Sequence, residues 1–447
     1  MAKLFGTDGI RGVANHYPMT PQFALQLGIS ATNRLSAIEG KVKIVVGKDT
    51  RVSSDMLEAA LMAGITSAGG DVLKVGVLPT PAIAYLTKSF SAQAGIIISA
   101  SHNPYDNNGI KFFGPNGLKL KDEIEDEIEE FLTKEFIYPT GDSIGNVIDV
   151  KNASIQYLNF IKGTISNSLN LKGKRVILDC ANGATSYIAE ALFQELGAEV
   201  IPLNCQPNGT NINLNCGALH PEKTAEIVKA QNAMVGFCFD GDGDRVIAVD
   251  EEGKIVDGDF IMAIAAKYLK ENDRLNNNLV VTTVMSNIGF YIALKTLNID
   301  VLATKVGDRY VVEQMLEKGA ILGGEQSGHI IFLDHFPTGD GIITALQLLT
   351  ILQKTTTPLS QLSQIMKKYP QVLINIKVKD KKIDLNTIPE IQSAIKSGEK
   401  ALKGEGRILV RYSGTEDLAR VMVEGPTEDE INKIAHNIAS VIEEKLG

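Results

Sequence analysis

The stretches "KIVVGKDTR" (43–51), "RVILDCANG" (175–183) and "NLVVTTVMSN" (278–287) each run from a β-branched apolar segment into a polar loop. Each then meets a stretch with helical spacing: "SSDMLEAALMAGITSAGG" (53–70), "GATSYIAEALFQELGA" (183–198) and "SNIGFYIALKTLN" (286–298). A second strand-like start follows in every case, "DVLKVG", "EVIPLN" or "DVLATKV". Parallel neighbours need a long crossover, so strands alternating with helices of this length imply βαβ units. Three such units in series predict three related α/β domains with mixed, mostly parallel sheets.

Outward from these repeats the pattern changes. "GRILVRYSGTEDLARVMVEG" (406–425) reads as strand, loop, strand, and Thr427 with Glu430 forms a T-x-x-E capping box. The helix beyond it puts Ile431, Ile434, Ala435, Ile438, Val441 and Ile442 on one face, which predicts a smaller two-layer α+β domain. The expected division of the 447 residues is 1–150, 151–252, 253–369 and 370–447, with the last boundary at Tyr369-Pro370.

Composition narrows the function classes. A net charge of −9 argues against a nucleic-acid partner, whose binding rests on a basic surface. "MAKLFGTDGIRG" lacks the apolar core of a signal peptide and no run of about 18 apolar residues occurs, so a cytoplasmic protein without a membrane partner is expected. Cys180, Cys205, Cys216 and Cys238 form no C-x-x-C pair, which leaves buried reduced thiols.

The most informative loop is "FDGDGDRVIAVD" (239–250). Asp240, Asp242 and Asp244 alternate with glycines, so three carboxylates can converge on a hard divalent cation such as Mg²⁺. An EF-hand is excluded: Arg245 stands where that loop needs glycine, and the flanks read as strands. Solvated aspartates in a hairpin are the bland alternative, but three adjacent acids repel one another without a cation.

Basic residues recur in glycine-rich or hydroxyl-rich loops: Arg11 in "FGTDGIRG", Lys48 and Arg51 in "GKDTR", Lys111 in "NNGIKFF" and Arg309 in "VGDRY". "RYSGTEDLAR" (411–420) adds Arg411 and Arg420 around Ser413, Gly414 and Thr415, in the manner of a phosphate cradle or of an ordinary turn. "GGEQSGH" (323–329) mixes carboxylate, amide, hydroxyl and imidazole in a loop suited to sugar hydroxyls or to a polar turn. In "GIIISASHNPYDNNGIKFF" (95–113) an apolar strand runs into Ser99, Ser101 and His102. Neither serine lies in G-x-S-x-G, so a hydrolase elbow is excluded, while a serine beside a divalent cation and basic residues suits phosphorylation.

Six segments in order, "FGTDGIRG", "SASHNPYDNNGIKFF", "DGDGDR", "VGDRY", "GGEQSGH" and "RYSGTE…RVMVEG", together resemble the α-D-phosphohexomutase superfamily over nearly the whole chain. The resemblance implies four domains in a heart-shaped enzyme with a central cleft. It implies that Ser101 is the phosphoserine and that Ser101, Asp240, Asp242 and Asp244 hold Mg²⁺. Arg245, Gly307, Asp308, Glu325 and Ser327 would bind the sugar. Arg411, Ser413, Gly414, Thr415 and Arg420 would hold the substrate's other phosphate. The implied reaction passes phosphate from Ser101 to a hexosamine 6-phosphate and back, through a 1,6-bisphosphate that is both intermediate and activator. His102, Lys111 and Arg11 are the candidates for moving the hydroxyl proton.

Gln326 and the form "SASHNP" favour glucosamine phosphate over mannose or glucose phosphates, the alternative substrates, and a non-catalytic phosphosugar-binding protein is the alternative of another class. Relatives imply a homodimer through the first domain; an activating kinase is a further candidate partner, and the sequence does not show what first phosphorylates Ser101. In the superfamily pattern a proline usually stands where this chain has Asp417, and a serine where it has Ala218.

Overall fold

A computed structural model describes residues 4–6, 8–39, 41–165, 169–379, 383–412 and 418–447. The three apolar runs form central strands of three sheets. The first sheet contains β1 (Ile10–Val13), β2 (Lys43–Lys48), β3 (Asp71–Val77), β4 (Ala94–Ile98), β5 (Asn107–Phe113) and β6 (Val147–Asp149), in the order β1-β5-β4-β2-β3-β6. The second contains β7 (Arg175–Asp179), β8 (Glu199–Leu203), β9 (Val235–Phe239), β10 (Val246–Asp250) and β11 (Ile255–Val256), in the order β11-β10-β9-β7-β8. The third contains β12 (Leu279–Thr283), β13 (Asp300–Thr304), β14 (Leu322–Gly324) and β15 (Ile330–Phe332), in the order β13-β12-β14-β15.

One topology therefore recurs. In each sheet the first strand of the repeat is central and parallel to the second and third on either side, and a fourth strand returns antiparallel beside the third. Burial agrees with this order: Val45, Ile177 and Val281 of the central strands are fully buried, as expected where both sheet faces are covered.

The chain packs as two units, Met1–Met285 with Asn298–Ile365, and Ser286–Leu297 with Met366–Gly447. In the second unit β16 (Gln371–Lys377), β17 (Arg407–Tyr412) and β18 (Leu418–Glu424) form an antiparallel sheet in the order β16-β18-β17. The helix Ile288–Thr296 connects β12 to β13 in the third repeat, as its sequence position implies, and packs with this unit. Buried Glu424 accepts from Asn287 Nδ2 and the Ile288 N–H, both at 3.2 Å, and a Cβ on Gly289 would lie 1.9 Å from the Lys367 carbonyl.

The helix Glu428–Leu446 buries Ile431, Ala435, Ile438 and Ile442 as predicted, with Ile434 and Val441 partly buried beside them. Its capping box is not made, because the Thr427 side chain makes no cap hydrogen bond. Glu428, Asp429 and Glu430 in the first turn supply negative charge to the helix N-terminus instead. Among the described residues no helix is long and apolar enough to cross a membrane, and all four cysteines are free.

A buried cap ties the first unit together. Asp340 precedes the helix Gly341–Thr355, accepts from the Ile342 and Ile343 N–H groups at 2.9 and 3.0 Å, and takes the Tyr157 hydroxyl at 2.7 Å. Burial pushes its carboxyl up to about 6 despite these donors. A carboxyl with a raised folded pKa binds its proton more tightly in the fold, so ionisation costs stability as pH rises from about 4 through 6. Asp340→Asn, neutral at every pH, is expected to gain about 3 kcal/mol at pH 8 and nothing below about pH 4. Urea midpoints at the two pH values check this, and equal midpoints at pH 8 would refute it.

Candidate active site

The three polar loops singled out in the sequence occupy equivalent places in the three repeats. Each lies between the third strand and its antiparallel return: residues 99–106 between β4 and β5, 240–245 between β9 and β10, and 325–329 between β14 and β15. These are the carboxyl ends of strands in parallel sheets, where backbone groups lie free to face a ligand.

Ser101 is buried, with a left-handed φ of 53°, which turns the chain sharply out of β4. Its Oγ donates to Asp240 Oδ2 at 2.6 Å, and its N–H donates to Ser99 Oγ at 3.0 Å. Ser99 in turn donates to Asp49 Oδ2 at 2.6 Å. The two serines thus have separate tasks: Ser101 faces the acidic loop, and Ser99 holds the Ser101 backbone. His102 Nδ1 lies 3.3 Å from Ser101 Oγ, and burial together with Arg245 and Arg11 pushes its imidazole down to about 4.

Asp240, Asp242 and Asp244 are buried and converge, with ligand oxygens all within 4.8 Å of one another. Burial and then the repulsion of Asp244 and Asp242 push the Asp240 carboxyl well above the usual carboxylate range. Asp242 Oδ2 takes Thr80 Oγ1 at 2.6 Å and Lys111 Nζ at 2.9 Å, while Asp242 Oδ1 and Asp244 Oδ1 are buried without a hydrogen-bond partner. Two orphaned carboxylate oxygens in a set of hard oxygen donors are what a Mg²⁺ ion requires, so the residues fit that metal.

Around the acids lies a ring of paired charges. Lys111 also sits 3.1 Å from Asp8 and 3.8 Å from Asp244, and against its burial Asp242, then Asp8 and Asp244, hold it charged. Arg11 pairs with Asp8 and reaches the Ala100 carbonyl at 3.4 Å. Arg245 donates its N–H to Asp240 Oδ1 at 3.2 Å and lies 3.7 Å from Asp244.

In the third loop, Glu325 Oε1 accepts the Gly307 N–H at 3.2 Å, which joins two predicted sugar-binding positions. Ser327 Oγ is buried without a hydrogen-bond partner, and Asp308 takes Lys119 Nζ at 2.7 Å. Arg309 is committed to Asp122 and Glu125 and does not serve as a free cation.

Sequence reasoning missed Asp8, Thr80, Lys119 and His329. His329 lies 3.6 Å from Asp244 and 3.5 Å from Asp308, and these acids hold its ring up to about 9 although burial opposes the charge. "GGEQSGH" contains it, so its motif was a usable signal. "GLKLKDE" (117–123) carries none for Lys119, which becomes important only by folding against Asp8 and Asp308.

In the second unit Arg411 and Arg420 are register partners on β17 and β18. Burial and then the neighbouring Arg420 charge lower the Arg411 pKa. Ser413, Gly414, Thr415 and Asp417 lie outside the described residues. Ala218 packs against the cluster around Ile177 and Val228.

The chain was compared with known proteins. Phosphoglucomutase/phosphomannomutase family models match in four consecutive stretches: the α/β/α domains I, II and III at residues 2–138, 156–253 and 257–369, and the C-terminal domain at 373–441. A curated relative from a Geobacter species, named phosphoglucosamine mutase, is 52% identical over 450 residues, covering 100% of this chain and 99% of its own. Another of that name, from Desulforamulus reducens, is 53% identical over 445 residues, with 99% of each chain covered. The crystal structure of Aspergillus fumigatus N-acetylphosphoglucosamine mutase in complex with GlcNAc-6P and magnesium has the same fold, with a TM-score of 0.72, 18% identity and coverage of 99% and 95%.

Proposed function

This chain belongs to the phosphoglucomutase/phosphomannomutase family, and from that premise we propose that it interconverts glucosamine 6-phosphate and glucosamine 1-phosphate through a phosphoserine at Ser101. The observation that carries this reading is the Ser101 hydroxyl held 2.6 Å from Asp240 at the edge of the buried carboxylate cluster, with Lys111 beside Asp242. A binder would need neither a nucleophile nor three converging buried acids.

In the proposed cycle the bond from Ser101 Oγ to phosphorus breaks as a bond forms to the free sugar hydroxyl, giving the 1,6-bisphosphate. The reverse transfer from the other end returns phosphate to Ser101. Mg²⁺ held by Asp240, Asp242, Asp244 and the serine phosphate would supply positive charge to the transferring group. Lys111, Arg11 and Arg245 add fixed cations, each kept in place by a carboxylate. The hydroxyl proton goes to a base at the reacting atoms, which we assign to His102 because Lys111 and Arg11 are engaged by acids. Glu325, Ser327, Gly307 and Asp308 are assigned to the sugar, and Arg411 and Arg420 with the 413–415 loop to the non-reacting phosphate.

The same reading divides the chain at 150, 252 and 369, and places the enzyme in a reducing cytoplasm, which suits four free thiols. Intact-mass and peptide analysis should find phosphate on Ser101. The phosphorylated protein with Mg²⁺ should then use glucosamine phosphate at least about tenfold better, by kcat/KM, than glucose or mannose phosphate. If glucosamine phosphate is the poorest of the three, the substrate reading fails.

A further inference from the structure

Of the motif "GKDTR" the site as described uses only Asp49, which holds Ser99, yet the motif also contains one of the largest fully buried side chains, Arg51. We propose that Arg51 and Asn213 form a two-armed clamp that positions the Ser101 loop for phosphoryl transfer, an inference that rests on the phosphoserine reading.

All five guanidinium N–H donors of Arg51 are used. Nε donates to Asp49 Oδ2 at 2.8 Å, Nη1 to the Asn107 carbonyl at 3.1 Å and to that of Pro104, and Nη2 to the carbonyls of Ser101 and Asn103, both at 2.9 Å. Asn213 Nδ2 approaches the same pair from the other side, 2.8 Å from the Ser101 carbonyl and 3.1 Å from that of Asn103. The two carbonyls flanking His102 are thus each bonded twice.

Both arms are anchored. Asp49 takes Ser54 Oγ at 3.0 Å and Ser99 Oγ at 2.6 Å, and Thr50 Oγ1 donates to the Asn182 carbonyl at 2.6 Å. Asn213 donates its N–H to the Ala181 carbonyl at 2.9 Å and packs against Gly241 of the acidic loop, where a Cβ would lie 2.7 Å from Nδ2. The clamp therefore fixes the serine loop against the loop carrying Asp240.

Its cost explains why it is more than a turn device. A fully buried ion pair gains little net stability after desolvation, and polar turns are routinely made without one. Ser101 at φ 53° is itself strained by about 1 kcal/mol, and such a conformation persists only where its surroundings over-determine it. Neither clamp residue touches a reacting atom, so both are positioning residues.

Arg51→Lys and Asn213→Gly, the latter compatible with the left-handed φ of 58° at that position, test the clamp. Single-turnover transfer from phosphorylated Ser101 to glucosamine phosphate should fall at least about a hundredfold in Arg51→Lys and about tenfold in Asn213→Gly, with KM within about twofold. A purely structural role would lower the folded fraction and melting temperature but leave the rate per phosphorylated molecule unchanged. Wild-type transfer rates in both folded variants would overturn the proposal. So would a wild-type rate in Asn213→Gly if Arg51→Lys does not fold, whereas a tenfold loss there would support it. Phosphorylated wild-type protein that transfers nothing to any of the three sugar phosphates would refute the phosphoserine reading itself, and the clamp with it.

Discussion

Ser101→Ala is expected to lower turnover by at least about 10⁴-fold, because removing a nucleophile that acts as part of a unit forfeits nearly all chemical catalysis. The loss should be chemical and not structural. The loop carbonyls remain bonded to Arg51 and Asn213, and alanine tolerates the left-handed backbone about as poorly as serine does. The melting temperature should therefore stay within a few degrees of wild type, and intact mass should show no phosphate. The aspartates also lose one donor, the Ser101 hydroxyl 2.6 Å from Asp240, without losing their convergence. More than a few per cent of wild-type turnover in this variant would refute the phosphoserine mechanism.

Gly241→Ala should produce the second largest loss. A Cβ there would stand 2.6 Å from the Ser101 carbonyl, 2.7 Å from Asn213 Nδ2 and 2.8 Å from Ile212 Cδ1. It would drive the acidic loop and the serine loop apart at their contact. A displacement approaching 1 Å at reacting groups costs about a hundredfold in rate, and overpacking of this kind about 1–3 kcal/mol in stability. Turnover should fall about 10²-fold or more, and calorimetric titration should show weaker Mg²⁺ binding. A variant that turned over within threefold of wild type would mean that the two loops do not need this approach. Gly243 is constrained differently, by a φ of 69°, so the two glycines that look alike in "DGDGD" answer to different requirements.

That contrast illustrates how far the sequence was legible. Alternating glycines suggested room for three carboxylates, which is correct, but the tightest neighbour of Gly241 is a backbone carbonyl 140 positions earlier in the chain. The βαβ period was readable because burial on both sheet faces imposes long apolar runs. The helix Ile288–Thr296 was readable as the crossover between β12 and β13, but an apolar helical face does not say what it will cover, and its packing against buried Glu424 and the Lys367 backbone left no sign in the sequence. Likewise "GKDTR" showed only basic residues in a polar loop, and nothing local said that Arg51 turns inward onto backbone carbonyls.

Local pattern thus determined the strands, the three repeats, the acidic loop and the two candidate serines, since each depends on neighbours within a few residues. Tertiary structure decided which serine faces the acids, and that Asp8, Lys119 and His329 join them. It also placed the three polar loops at equivalent strand ends. Those outcomes depend on charges and carbonyls meeting across more than a hundred residues of chain, and burial there makes each pairing strong while leaving no periodic trace in the sequence.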